Sequence, residues 1–387
     1  MDAPYVLLDD ARAGGEARLY RDPVEIVAAR TLGEVAGALD RVRGAAARGL
    51  HAAGFLAYEA GAAFEPTLTA RETDGPLAWF GLFERCEAID AAAWLPDPAG
   101  AWIGRPVPRT TRDAYETQVR AALDLIAAGD LYQVNLSFPA TVPFVGDPLA
   151  AYAQLRGRAG AGYGAVVATG DHTLVSLSPE LFFRLDGDRL ECRPMKGTAR
   201  RDADPTTDRA AAAALAADTK QRAENLMIVD LMRNDLARVA VAGSVTVPEL
   251  WTVETYPTVH QLTSTITATL APGANATDVL AATFPCGSIT GAPKRRAMQA
   301  IAAIEARPRG IYTGSIGRID ANGDAAFNVA IRTLAIRGDT ATLALGAGIV
   351  ADSDPAAEQR ECEAKAGAIL AAAREAITRA AAPTFGQ

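Results

Sequence analysis

The chain has 387 residues, 49% of them hydrophobic and 22% charged, with a formal net charge of −8. That composition is ordinary for a globular protein, and its acidic balance excludes a surface built to neutralise phosphates, so no nucleic-acid partner is expected. No run of 18 or more uncharged apolar residues occurs and the first twenty residues carry acids rather than a basic leader, so no membrane span is expected and the protein is placed in the cytoplasm.

Four cysteines (Cys86, Cys192, Cys286, Cys362) lack CxxC spacing and three histidines (His51, His172, His260) lack HExxH spacing, which disfavours a disulfide framework or a zinc site. The nearest thing to a boundary is "LPDPAGAWIGRPVPRTTRD" at 95–113. It divides an N-terminal part, 1–105, from a larger region, 106–380, and the two are expected to share one core in one structural domain.

Past that boundary, "RDAYETQVRAALDLIAAGD" places Tyr115, Val119, Ala122 and Ile126 on one helical face and stops at Gly129. "LYQVNLSF" is strand-like, and "TLVSLSP", "LFFRLDG" and "RLECRPM" read as short strands joined by turns. The Ala-rich "DRAAAAALAAD" is expected as a surface helix, since alanine favours helix and offers little to bury. "QRAENLMIVDLMRNDLARVA" is a helix by length and composition, and "TVETYPTVHQLTSTITATL" gives two strands either side of His260. "FPCGSITGAPKRRAMQAIAAIE" passes from a Gly-rich turn into a helix, with Thr290 as N-cap and Pro293 in the first turn. Three strands follow, "GIYTGSIGRID", "AAFNVAIRTLAI" and "TATLALGAGIV"; in the second, Phe327, Val329 and Ile331 face one way and Asn328, Ala330 and Arg332 the other. A last helix is expected over "DPAAEQRECEAKAGAILAAAREAI". Strands interleaved with helices, without regular βαβ alternation, define an α+β fold with large, mostly antiparallel sheets.

Lys196, in "RPMKGT", is either a solvated loop charge or, if desolvated, an amine that loses its proton readily enough to act as a nucleophile. Glu358, Glu361 and Lys365 share one face of the last helix, which is either an exposed charged face or, with Glu224 from another helix, a set of oxygen ligands for Mg²⁺. Glu224 would serve equally as a partner for its helix dipole. Gly346 and Gly348 interrupt an apolar strand, which implies close approach of another group to the backbone. "GSITGAP" resembles an anion-binding loop but lacks the ending of a P-loop.

These blocks recur together in one family. From "GDLYQVNLS" through "SPELFF", "RPMKGTARR", "AENLMIVDLMRNDLARV", "VHQLTSTI", "FPCGSITGAPKRRAMQAI", "GIYTGSIG", "FNVAIRTL" and "GAGIVADSDPAAEQRECEAK", the chain resembles the chorismate-utilising enzymes, which include anthranilate synthase component I, aminodeoxychorismate synthase component I and the isochorismate and salicylate synthases. The resemblance implies the anthranilate synthase component I-like fold, large mostly antiparallel sheets packed as a sandwich with helices outside, and makes 106–380 a chorismate-binding catalytic region. Anthranilate synthases carry alanine where this chain has Lys196, and aminodeoxychorismate synthases carry lysine. The implied reaction therefore replaces the C4 hydroxyl of chorismate with ammonia.

By the same resemblance Lys196 is the covalent nucleophile, Glu180 in "LSPELFF" the general acid and base, and His260 a neighbour of the departing hydroxyl. Without it, Glu180 would read as a hairpin-end carboxylate and His260 as a packed strand residue. Mg²⁺ falls to Glu224 and Glu361 with Glu358 nearby. Thr290, Tyr312, Arg332, Gly346, Gly348 and Lys365 surround the substrate, and Gly197 and Thr198 supply short-range polar contacts. None of the cysteines sits in a glutaminase-like nucleophile turn, so a separate glutamine amidotransferase subunit is implied as the ammonia source. Cys286 stands where relatives have Gly or Ala and is read as packing, while Asp10 replaces a serine of the tryptophan-regulated members and puts tryptophan binding in doubt. The rivals are an anthranilate synthase component I and a non-catalytic subunit that binds a glutaminase.

Overall fold

The computed structural model describes residues 3–256 and 259–366. Two large sheets carry the fold. The first orders its strands Gly291–Ala292, Gln133–Gly146, Thr340–Ile349, Thr333–Arg337, Thr173–Ser178, Tyr163–Ala168, Tyr5–Asp9, Ala17–Arg21 and Glu87–Ile89, with Ala101–Ile103 and Val107–Pro108 also paired to Gln133–Gly146. The second runs Met195–Arg200, Val259–Thr269, Arg189–Arg193, Leu181–Asp186, Ala325–Asn328, Ser315–Ile319, His51–Leu56, Ala78–Phe83 and Glu25–Ala29, with Thr246–Thr255 added to Val259–Thr269. The ladders are antiparallel, including those that tie N-terminal strands to later ones, such as Tyr5–Asp9 to Tyr163–Ala168 and His51–Leu56 to Ser315–Ile319.

Side-chain alternation sets the layers. Tyr5 and Leu7 turn toward helices while Val6 turns toward the other sheet; Phe80 and Leu82 turn outward while Trp79 and Phe83 meet Val6, Tyr20 and Val167 between the sheets. Phe83 is fully buried there, and truncating such an aromatic costs about 3–5 kcal/mol. Helices Arg112–Ala127, Pro148–Ala159 and Lys294–Ile304 cover the first sheet, and Leu32–Ala47, Thr219–Ala237 and Ala276–Thr283 the second. As expected, Tyr115, Val119 and Ala122 are buried on one helical face, and the Ala-rich helix Pro205–Ala217 buries only Leu215.

Three local expectations are corrected. "AAFNVAIRTLAI" is not one strand: Ala325–Asn328 belongs to the second sheet and Thr333–Arg337 to the first, with Arg332 in the left-handed region at φ 52° between them. Thr290 is not an N-cap, because Gly291–Ala292 pairs with Gln133–Val134 and the helix Lys294–Ile304 starts after Pro293. His260 does not separate two strands but lies inside Val259–Thr269, opposite Ala199. The last helix covers 355–366, and the rest of its expected span lies outside the described residues.

The break at Arg332 has a counterpart. Thr173–Ser178 in the first sheet leads through Pro179 and Glu180 into Leu181–Asp186 in the second. These two crossings pair with one another: Val329 N–H donates to the Glu180 carbonyl at 3.0 Å, Leu177 N–H to the Arg332 carbonyl at 3.1 Å, and the Ser178 hydroxyl to the Val329 carbonyl at 2.6 Å. A two-stranded ribbon thus passes from sheet to sheet, with Glu180 and Arg332 at its bends.

Candidate active site

Lys196 reaches the ribbon from the strand Met195–Arg200. The register of that strand shifts between Met195 and Thr198, and Gly197 at φ 84° forms the bulge. A Cβ at Gly197 would meet Gln221 at 3.0 Å and Leu215 at 3.2 Å, so both backbone angle and space call for glycine. Gln261 locks the bulge, its amide donating to the Gly197 carbonyl at 2.7 Å and its oxygen accepting from the exposed Thr198 hydroxyl at 3.0 Å.

Lys196 is half-buried and its pKa is lowered by burial, partly opposed by the carboxylates of Glu180 and Glu224. Glu180 is 4% exposed. Burial pushes its carboxyl up to about 7, against the stabilising Ser288 hydroxyl, which donates to it at 2.6 Å, and the charge of Lys196. An amine and an acid whose pKa values move toward one another can hold the neutral pair that proton transfer needs. Arg332 is half-buried as well, its pKa lowered by burial. Among the described residues neither the Lys196 ammonium nor the Arg332 guanidinium is engaged in a hydrogen bond or ion pair. Two partly desolvated basic groups without hydrogen-bond partners, both acting on one acid, suit an anionic ligand.

The glycine strand forms the facing wall. In Thr340–Ile349 the alternate residues Leu345, Ala347 and Ile349 pack toward the helices, leaving Gly346 and Gly348 on the other face. A Cβ at Gly346 would stand 2.5 Å from the Tyr312 hydroxyl, and one at Gly348 would stand 2.6 Å from the Gln133 amide nitrogen and 3.6 Å from Lys196 Nζ. Tyr312 is buried, with its pKa pushed up to about 12 by that burial. Lys365 donates to the Gly346 carbonyl at 3.2 Å.

Glu224 and Glu358 both have raised pKa values, from burial first, and each feels the charge of Glu361. Carboxylates from two helices thus feel one another's charge, and Glu224 also that of Lys196. Glu361 is closed onto Lys365 at 2.7 Å and Glu358 accepts from the Ser353 hydroxyl at 2.6 Å, and among the described residues no group of three His, Cys, Asp or Glu is drawn together to hold a metal. The oxygen-only donor set and its mutual repulsion nonetheless fit a hard divalent cation.

His260 and Thr290 have side-chain partners of their own. His260 Nε2 meets Asp208 at 2.9 Å and Nδ1 meets the Thr255 hydroxyl at 3.1 Å, while the Thr290 hydroxyl donates to the Cys286 and Gly287 carbonyls. Cys286 is buried, with Sγ 3.3 Å from the Ser288 hydroxyl. Sequence reasoning missed Ser288, Gln133 and Asn135. Ser288 lay in the quoted "GSITGAP" but had no distinguishing spacing, and Gln133 and Asn135 show themselves only by sharing the strand face opposite the buried Val134 and Leu136.

Fold and site together bring an amine, a guanidinium and a buried acid to the place where the two antiparallel sheets are joined. The chain belongs to the chorismate binding enzymes, whose family profile matches residues 5–371. It is 40% identical over 343 residues to aminodeoxychorismate synthase component 1 of Salmonella typhimurium, covering 82% of this chain and 76% of that one. It is 45% identical over 260 residues to the protein of the same name in Escherichia coli, covering 67% and 57%. It is also 45% identical over 298 residues to an anthranilate synthase component 1 of Halobacterium salinarum, covering 75% and 55%. The aligned stretch therefore spans little more than half the length of two of these relatives. Anthranilate synthase component I from Streptococcus pneumoniae superposes with a TM-score of 0.81 at 27% identity over 92% of both chains, in accord with the expected fold. Among the described residues no helix is long and apolar enough to cross a membrane.

Proposed function

We propose that the chain aminates chorismate at C4 as an aminodeoxychorismate synthase component 1, with ammonia supplied by a partner glutamine amidotransferase. Relatives of similar identity bear both that name and the anthranilate synthase name, so identity alone does not choose between them. The observation that carries the choice is Lys196: an unpartnered amine with a lowered pKa, beside an acid raised to about 7.

Neutral Lys196 adds at C2 of the ring, both ring double bonds shift, and the C4 hydroxyl leaves as water after taking the proton of Glu180. Ammonia then attacks C4, both double bonds return, and the C–N bond to Lys196 breaks with the lysine leaving as the neutral amine; the new C4 ammonium gives its extra proton back to Glu180, releasing 4-amino-4-deoxychorismate with its enolpyruvyl group intact. Arg332, Tyr312 and Lys365 hold the substrate carboxylates, and Gly346 and Gly348 let the ring approach the strand. Mg²⁺, if held by Glu224, Glu358 and Glu361, would neutralise the ring carboxylate. Onward conversion to 4-aminobenzoate, for folate, requires a lyase step that eliminates pyruvate.

The test is product analysis with chorismate, Mg²⁺ and ammonium, followed by addition of a lyase that acts on aminodeoxychorismate. The proposal expects 4-aminobenzoate only after the lyase; fluorescent anthranilate without it would establish the anthranilate synthase reading, and no loss of chorismate would establish the non-catalytic one. With chorismate and no ammonia, intact mass should show a chorismate-minus-water adduct that Lys196→Ala abolishes.

A further inference from the structure

Behind the site lies a buried ion pair with no part in the reaction as written. Glu305 and Arg309 are 4% and 7% exposed, and all five guanidinium N–H donors have acceptors. Nε and one Nη2 proton go to the Glu305 oxygens at 2.9 and 2.6 Å, the other Nη2 proton to the Asn135 carbonyl at 2.6 Å, and the Nη1 protons to the Ile289 carbonyl and the Thr313 hydroxyl, both at 3.2 Å. Glu305 also accepts from Ser137 N–H at 2.7 Å, and buried Glu59 accepts from Arg309 N–H at 2.6 Å and Gly310 N–H at 3.1 Å. The guanidinium lies 4.6 Å from the centre of the Tyr58 ring.

Each acceptor belongs to a segment that carries part of the site. Asn135 stands beside Tyr312 and influences its titration; Ile289 follows Ser288, the donor to Glu180; Thr313, itself at φ 61°, follows Tyr312. We propose that Arg309 is a positioning residue for the reaction, a rigid fork that fixes the relative placement of the strand under Gly348, the turn that orders Glu180, and Tyr312. A lysine has three donors on a flexible stem and cannot span these acceptors. The proposal rests on the site assigned above, though not on which product that site makes.

The experiment compares Arg309→Lys and Arg309→Ala with the intact enzyme by chorismate consumption, thermal midpoint and hydrogen exchange. Misplacement by about 1 Å lowers turnover on the order of 10²-fold, so Arg309→Lys should lose about that much in kcat with only a small fall in melting temperature. Exchange should quicken over 287–290 and 311–314 before it does in the sheets. Arg309 lines two cavities, of about 40 and 20 Å³; millimolar guanidinium should restore Arg309→Ala saturably and leave Lys196→Ala inactive. Should Arg309→Ala fail to fold, Arg309→Lys decides alone. A folded Arg309→Lys with kcat within threefold of wild type, or with unchanged exchange in both segments, overturns the clamp. A wild-type enzyme that leaves chorismate untouched overturns the function proposed above instead, and exchange still decides the clamp.

Discussion

Replacing Glu180 by glutamine should change how stability depends on pH. The carboxyl is almost fully buried, and burial raises it from 4.5 to about 7, a difference worth about 3 kcal/mol. Because the folded pKa lies above the unfolded one, the folded state binds this proton more tightly. The contribution is fully present below pH 4.5 and is lost as pH rises through 7. About 2.5 kcal/mol of it falls between pH 5 and pH 8. Glutamine keeps an oxygen to accept from Ser288 but never ionises. Urea unfolding of both proteins at pH 5 and pH 8 should therefore show wild type losing about 2.5 kcal/mol relative to Glu180→Gln. Glu59, also pushed to about 7 by burial, is present in both proteins and cancels from the difference. Parallel pH curves would refute the burial argument, and with it the supply of a protonated acid at neutral pH.

Ser288→Ala removes a hydrogen bond that favours the ionised Glu180, so the alkaline limb of the kcat profile should move to higher pH; an unmoved limb would show that Glu180 is not the acid. Gly346→Ala would force a Cβ to within 2.7 Å of the Leu136 carbonyl and 2.5 Å of the Tyr312 hydroxyl. Overpacking of that kind costs about 1–3 kcal/mol, and the KM for chorismate should rise with the loss of melting temperature; a normal KM would mean the substrate lies elsewhere. Arg332→Lys discards a planar fork that no described residue pairs with, so KM should rise about tenfold while thermal stability barely changes. Glu358→Gln removes a repulsive neighbour of Glu224, and titration of Mg²⁺ against activity should show weaker apparent affinity, with an unchanged curve excluding Glu358 from the ion's surroundings.

Periodicity made much of the fold legible. Tyr115, Val119 and Ala122 recur at helical spacing because one face must be buried, and the short strands alternate because one side of each sheet meets helices and the other meets the second sheet. Where two solutions share one pattern, sequence could not choose. "AAFNVAIRTLAI" is mostly apolar because both of its halves are buried, and nothing in Ile331-Arg332-Thr333 marks a change of sheet, since the left-handed residue there is an arginine rather than a glycine. Thr290 has the residue type of a cap, yet long-range pairing of Gly291 with Val134 decides the local path. Lys196 and Glu180 were legible through the family blocks, whereas Glu305 and Arg309, four residues apart, look like an ordinary surface pair until burial is known.

The crossing ribbon has a mechanical consequence. Lys196 hangs from one sheet and Gly346 and Gly348 line the other, so the gap between them is the spacing of two slabs joined by that ribbon. In the proposed reaction, sliding one slab by about half an ångström would appear undiminished in the distance between the amine and the ring. The ribbon at Glu180 and Arg332 acts as the spacer that holds this gap, and substitutions far out along either sheet can alter turnover without touching a single catalytic group.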